Sequence, residues 1–290
     1  MTSAEILSRD AFLLGIELRL FWLVALLYAI SFLIGISYIL SSKQTTGKTL
    51  TASLWLTAIL HTILIIFRTI EGQRPPFQTL YETLSWFAWS ANITYLFVHS
   101  RWKDIHFPGI SVAGIAMGAC LYSLLTRSPE IIPLPPALQS PWYEAHVIVA
   151  FLAYAVFVVS FAIELTHLIF EKLFKHSAPS FGFPLEGFHR YAHRLVLFGF
   201  PLLAFAIFSG AAWANDAWGR YWSWDPKETW SLITWTVYAI YLHSRAIARW
   251  RGNAASFLNI LGFVCMIMTF LGVNWLAKLL NIPSLHTYAV

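Results

Sequence analysis

The sequence predicts an all-α, polytopic integral membrane protein of about eight transmembrane helices, organised as one membrane domain over 1–290. Three observations carry this expectation. Hydrophobic residues fill 58% of the 290 positions and charged residues only 11%, against about 25% charged in soluble domains. Apolar runs of spanning length recur at 20–40, 50–70, 79–99, 105–126, 143–170, 191–212, 229–249 and 255–280. The connections between them hold capping boxes, prolines and small basic clusters, with no stretch long enough for a soluble domain and no clear internal repeat.

Taken in order, residues 5–19 alternate apolar and charged positions and read as a short amphipathic helix lying on the membrane surface. The first span is followed by Lys43 and Lys48, and the third by Arg101 and Lys103. Lys172, Lys175, Arg190 and Arg194 surround the connection after the fifth, and Arg245, Arg249 and Arg251 follow the seventh. Eleven of the nineteen Lys and Arg residues thus flank odd-numbered spans. The positive-inside rule places those connections in the cytoplasm or stroma, with both termini on the outer side. Thr79, three residues before Glu82, forms a capping box opening the third helix. Pro129, Pro133, Pro135, Pro136 and Pro141 favour a stiff, extended connection before the fifth helix. Pro201 should kink the sixth.

Other classes are excluded by composition. The net charge of +5 is what basic membrane loops supply, and no basic face is clustered enough for nucleic acid. Cys120 and Cys265 lie inside apolar runs and form no CxxC, zinc pattern or disulfide framework. Without a CxxCH the chain is not itself a c-type cytochrome. Glu5, Asp10 and Glu17 ahead of the first long apolar run argue against a cleaved leader.

The most unusual stretch is Trp218-Gly-Arg-Tyr-Trp-Ser-Trp-Asp-Pro-Lys-Glu-Thr229, on the outer side by the same topology. Six of the fourteen tryptophans fall between Trp213 and Trp235. An interfacial aromatic belt accounts for part of this cluster but not for its concentration in one loop of about 213–229. Flat aromatic faces beside a few fixed charges suit a large, planar, partly anionic ligand. Asp225, Pro226 and Glu228 form a capping box with proline in the first turn, so the loop runs directly into a helix.

This stretch resembles the tryptophan-rich WWD motif of the haem-handling proteins of cytochrome c biogenesis. The longer run AAWANDAWGRYWSWDPKETWSLITWTVYAIYLHSR is most similar to the CcsA type, also called ResC, of the system II pathway. The resemblance extends to RPPFQTLYET, EAHVIVAFLAYAVF, GFPLLAFAIFSG and VNWLAKLLNIPSLHTY, and so touches most of the chain.

Ten histidines are divided accordingly. His106 and His176 read as solvated, His99 and His167 as interfacial, and His61 as a polar packing contact within the second span. His189 and His193, with Arg190 and Arg194, read as a basic anchor at an inner helix start. His146 opens the fifth helix and His286 follows the eighth, both on the outer side. By position alone they read more readily as two unrelated interfacial histidines than as an axial pair. The resemblance reverses that, because EAHVIVAFLAY and SLHTY match places where the family keeps its outer haem ligands.

His243 lies 17 residues beyond Pro226, about 26 Å along a helix at 1.5 Å per residue. That depth is too great for the outer iron, and YLHSR resembles the family's transmembrane histidine. The resemblance implies an inner haem site whose opposing ligand comes from a CcsB-type (ResB) membrane subunit.

The implied function is that of a haem-handling subunit of a system II cytochrome c synthase in a bacterial inner membrane or a thylakoid membrane. Haem b, as the transported substrate, is expected at His243 and then at His146 and His286. Trp218, Trp222 and Trp224 supply the faces of the platform, Tyr221 a hydroxyl, and Asp225 holds the loop. There the haem vinyls meet the CxxCH thiols of apocytochrome c. Haem lyase activity is expected only together with the CcsB/ResB-type partner. Competing readings are a system I exporter or chaperone without attachment activity, a membrane di-haem electron-transfer cytochrome, and a cofactor-free transporter or lipid-binding protein.

Overall fold

A computed structural model describes residues 3–102, 105–173, 187–247 and 253–280. Among these there is no strand. The helices are α1 (Ser3–Ser41), α2 (Gln44–Gly72), α3 (Leu80–Trp102), α4 (His106–Thr126), α5 (Pro141–Leu173), α6 (Phe188–Trp218), α7 (Pro226–Ala246) and α8 (Asn253–Ile267). A π-helical turn, Met268–Gly272, carries α8 into α9 (Val273–Leu280), so the last expected span is one interrupted rod. Six helices are long and apolar enough to cross a membrane. The other two expected spans, α3 and α7, are helical over 23 and 21 residues but more polar. The protein is an all-α, polytopic membrane protein.

Several expectations change. Residues 5–19 are not a separate surface helix, because α1 runs unbroken from Ser3 to Ser41. An amphipathic start joined without a breaker to an apolar run continues it, since no residue there stops helix propagation. His106 is not solvated: it is 3% exposed at the start of α4, and its Nδ1 meets Thr51 Oγ1 at 2.9 Å. The helix α6 continues through Pro201.

The chain divides into two compact units, Met1–Pro133 and Leu134–Val290. In the first, α1 packs on α2 and α4, and α3 packs on α2 and α4. Its interior is closed around a buried ion cluster. Arg68 Nη1 donates to Glu17 Oε2 at 2.8 Å and its Nε to Glu82 Oε1 at 3.3 Å. Arg74 Nη1 adds a bond to Glu82 Oε2 at 3.1 Å, and Tyr81 Oη donates to Glu17 Oε1 at 3.2 Å. Arg68 also donates to the carbonyls of Pro129 and Glu130, tying down the proline-rich segment that follows α4. The capping box at Thr79 and Glu82 is formed in both directions. His61, fully buried, bridges Tyr28 Oη at 3.1 Å and Ser85 Oγ at 2.9 Å, as a packing contact should.

In the second unit α5 packs on α6 and α8, and α7 packs on α6 and α8. Stacked rings lock the helices together: Phe157 lies on Tyr238 and Phe161 on Phe263, each pair with centroids 3.9 Å apart. At the opposite end of α6 from the aromatic loop, His189 Nδ1 meets Glu164 Oε1 at 2.8 Å, and Ser256 Oγ donates to the same oxygen. His189 is therefore engaged inside the helix bundle rather than serving only as a basic anchor.

Candidate functional site

The aromatic loop is held at both ends by backbone chemistry. Gly219, at φ +72°, stops α6 in the left-handed region, and its N–H donates to the Asn215 carbonyl at 2.9 Å. Trp224 also has positive φ, +59°, an uncommon geometry for a bulky residue. The surroundings enforce it. Asp225 caps α7 by accepting from the Lys227 N–H at 2.9 Å. Glu228 reaches back to accept from the N–H of Asp225 at 3.2 Å and of Ser223 at 2.8 Å. The capping box thus does more than start a helix, since Glu228 also gathers the loop on the other side of Trp224.

Across from this loop His146 projects from α5. Its Nδ1 lies 2.7 Å from the Ala206 carbonyl of α6. A carbonyl only accepts, so in the neutral ring Nδ1 carries the proton and Nε2 the lone pair, the arrangement a metal-ligating imidazole needs. Gly210 makes this seat possible, because a Cβ there would lie 2.7 Å from His146 Nδ1. Trp213, one turn further along α6, lies nearly parallel to the imidazole at 18°, with centroids 6.2 Å apart. Its indole N–H donates to the Ala137 carbonyl at 2.7 Å, which fixes the ring.

His146, Trp213, Tyr221, Trp222, Lys227 and Glu228 share one cleft, with Thr269 of the π-helical turn also in its wall. The cleft holds about 570 Å³ of atom-free space, part of it open to the exterior. Trp222 continues from it into a neighbouring apolar groove with Phe208 and Trp235.

The other sequence-derived residues fall as follows. Trp218 ends α6 and meets Trp213 edge to face at 5.0 Å, behind the cleft lining rather than in it. Trp224 is 68% exposed and perpendicular to Trp222. Asp225 is buried and acts as the cap. His243 lies near the other end of α7 with an exposed side chain, its Nδ1 bonded to the Ala239 carbonyl at 2.9 Å. His286 lies outside the described residues.

Sequence reasoning missed Lys227, Gly210, Trp213 and Thr269. The first three carry a signal in retrospect, Trp213 through its place in the aromatic cluster. Ala206, Gly210 and Ala214 recur every four residues, marking a small-residue face of α6 against which an α5 side chain sits. Once Asp225 is the cap, Lys227 and Ser231 share one face of α7. Thr269 depends on the π turn, which no periodicity announces.

Comparison with known proteins places the chain. The model of the cytochrome c assembly protein family matches residues 48–281. A cytochrome c biogenesis protein CcsA from Guillardia theta is 36% identical over 264 residues, 83% of this chain and 84% of the relative. A CcsA from Synechococcus sp. (strain CC9902) is 34% identical over 260 residues, 79% of this chain and 83% of the relative. Among solved structures, a cytochrome c haem lyase CcmF aligns with a TM-score of 0.70 over 90% of this chain. This chain spans 47% of that structure's length, and at 15% identity the likeness is one of fold. By the family match and by the extent of its CcsA relatives, the chain belongs to the cytochrome c assembly protein family, as a CcsA-type member.

Proposed function

We propose that the chain handles haem as a substrate in a system II cytochrome c synthase, holding it in the cleft beside the aromatic loop for attachment to apocytochrome c. One observation supports this above the others: the Ala206 carbonyl sets His146 in an iron-ligating tautomer and Gly210 leaves its ring room, inside a cleft walled by tryptophans. The residues present fit a haem. Trp222 and Trp213 offer flat faces, the imidazole offers a lone pair, and the glycine leaves the ring its room.

Attachment is an addition across a double bond. The cysteine sulfur bonds to one vinyl carbon and the proton ends on the other, with no net oxidation. The chain's part is positioning: it ligates iron through His146, with His286 as the opposing ligand, and holds the ring so that a thiol can approach the vinyl. A ligand on each face also keeps oxygen from the iron until the histidine of CxxCH displaces one of them. This puts the aromatic loop on the outer side of a bacterial inner membrane or a thylakoid membrane, as the basic clusters beside odd-numbered spans favour.

His243 serves an inner site about 26 Å away along α7. Its Nδ1 is also committed to a backbone carbonyl, and its exposed side chain suits completion by a ligand from a CcsB/ResB-type subunit. The test is maturation of a reporter cytochrome c in cells that depend on this chain and that subunit. His146→Ala and His286→Ala should each lower covalent haem, with partial rescue by added imidazole. His243→Ala should lower haem occupancy of the outer site. Normal maturation by both outer variants would refute the axial pair.

A further inference from the structure

Lys227 occupies the second position of α7, and its side chain lines the cleft beside His146, Tyr221 and Ser231. It is half-buried. Its backbone N–H is bonded to Asp225, but among the described residues no hydrogen bond or ion pair joins its ammonium to a partner. The two neighbouring carboxylates are committed elsewhere. Asp225 caps the helix, and Glu228 accepts from the Ser223 and Asp225 backbone. A charged group withdrawn from water without a direct counter-ion is costly, and a protein retains one where a ligand supplies the opposite charge. A lysine merely reaching past apolar surface keeps its ammonium in water, whereas the Lys227 side chain lines the cleft.

We propose that Lys227 is the anion-recognition group of this cleft, pairing its ammonium with a carboxylate on the edge of the planar ligand. The proposal rests on the haem reading, in which that carboxylate is a propionate. It also gives the ligand an orientation. Protohaem carries its propionates and its vinyls on different edges, so a propionate held at the start of α7 turns the vinyl edge away from Lys227. The reactive carbons then face a part of the cleft where an incoming thiol meets no ammonium.

The purified full-length chain in detergent is titrated with haem and with haem dimethyl ester, read by Soret absorption and by quenching of tryptophan fluorescence. The wild-type chain should bind the free acid about tenfold or more tighter than the ester, the worth of a charge-assisted bond. Lys227→Met should bind haem about tenfold or more weakly and lose the preference, while Lys227→Arg and the exposed-site control Arg220→Gln keep it. A wild-type chain with no preference, or a Lys227→Met variant that retains the full preference, overturns the proposal; the first result needs no variant to fold. If binding is lost on His146→Gly while the acid-over-ester preference is insensitive to Lys227, this proposal alone falls. If no His146-dependent spectrum appears at all, the haem reading falls with it.

Discussion

The unit Met1–Pro133 and the unit Leu134–Val290 are both built on packed helices and both hold buried ion pairs, yet the polar groups beside the aromatic loop of the second are used differently. In the first, charge is closed on itself: Arg68 meets two carboxylates and two carbonyls, and His61 meets two hydroxyls. In the second, an imidazole with its tautomer set, an ammonium and two tryptophans line one cleft. Satisfied polar groups hold an apolar bundle in one arrangement. Polar groups ordered towards a cleft mark a place where something else binds. Both units bury histidines, and the partners of each ring tell a packing contact from a cleft residue.

The largest expected effect breaks the first half of this contrast. Arg68→Met leaves Glu17 and Glu82 buried beside fewer cations, which should destabilise the unit by about 3–5 kcal/mol. Thermal unfolding in detergent and the yield of folded protein measure it. A variant as stable as wild type would show that the cluster is not what closes this unit.

Next come the walls of the cleft. Trp222→Ala should cost haem binding about 3–5 kcal/mol, by analogy with loss of a buried aromatic from a core. Glu228→Gln keeps an acceptor for the loop and should cost less. Equal losses in a haem titration would make the tryptophans structural anchors rather than ligand faces.

Gly210→Ala sharpens the comparison without touching a ligand. Its Cβ would crowd His146, and relieving that clash should cost about 1–3 kcal/mol. The loss should appear in iron ligation, read by the Soret position, more than in the thermal midpoint. A shifted midpoint with unchanged ligation would make Gly210 a packing residue only. The smallest effect is expected from Asp225→Ala, about 1 kcal/mol of stability for a lost cap. Denaturant unfolding checks this, and a much larger loss would mean that Asp225 does more than cap.

Much of the fold was legible because a helix in hydrocarbon writes itself as an apolar run. α3 and α7, the more polar pair, were legible through their capping boxes as well. Helix ends were less so. α6 runs on to Trp218 because Gly219 stops it, not because its hydrophobicity ends. For the site, the aromatic loop, its cap and His146 could be read directly. Lys227, Gly210 and Thr269 could not, because their place depends on which helix faces meet and on a π turn that shifts the register of the last rod.

Haem ligation by His146 is tested most directly by the absorption spectrum of haem bound to the purified chain, compared with His146→Gly before and after added imidazole. Ligation by His146 should give the wild type a low-spin, nitrogen-ligated spectrum that is lost in the variant at an unchanged thermal midpoint and returns when imidazole fills the space left by the side chain. A variant with the wild-type spectrum and no response to imidazole would contradict it.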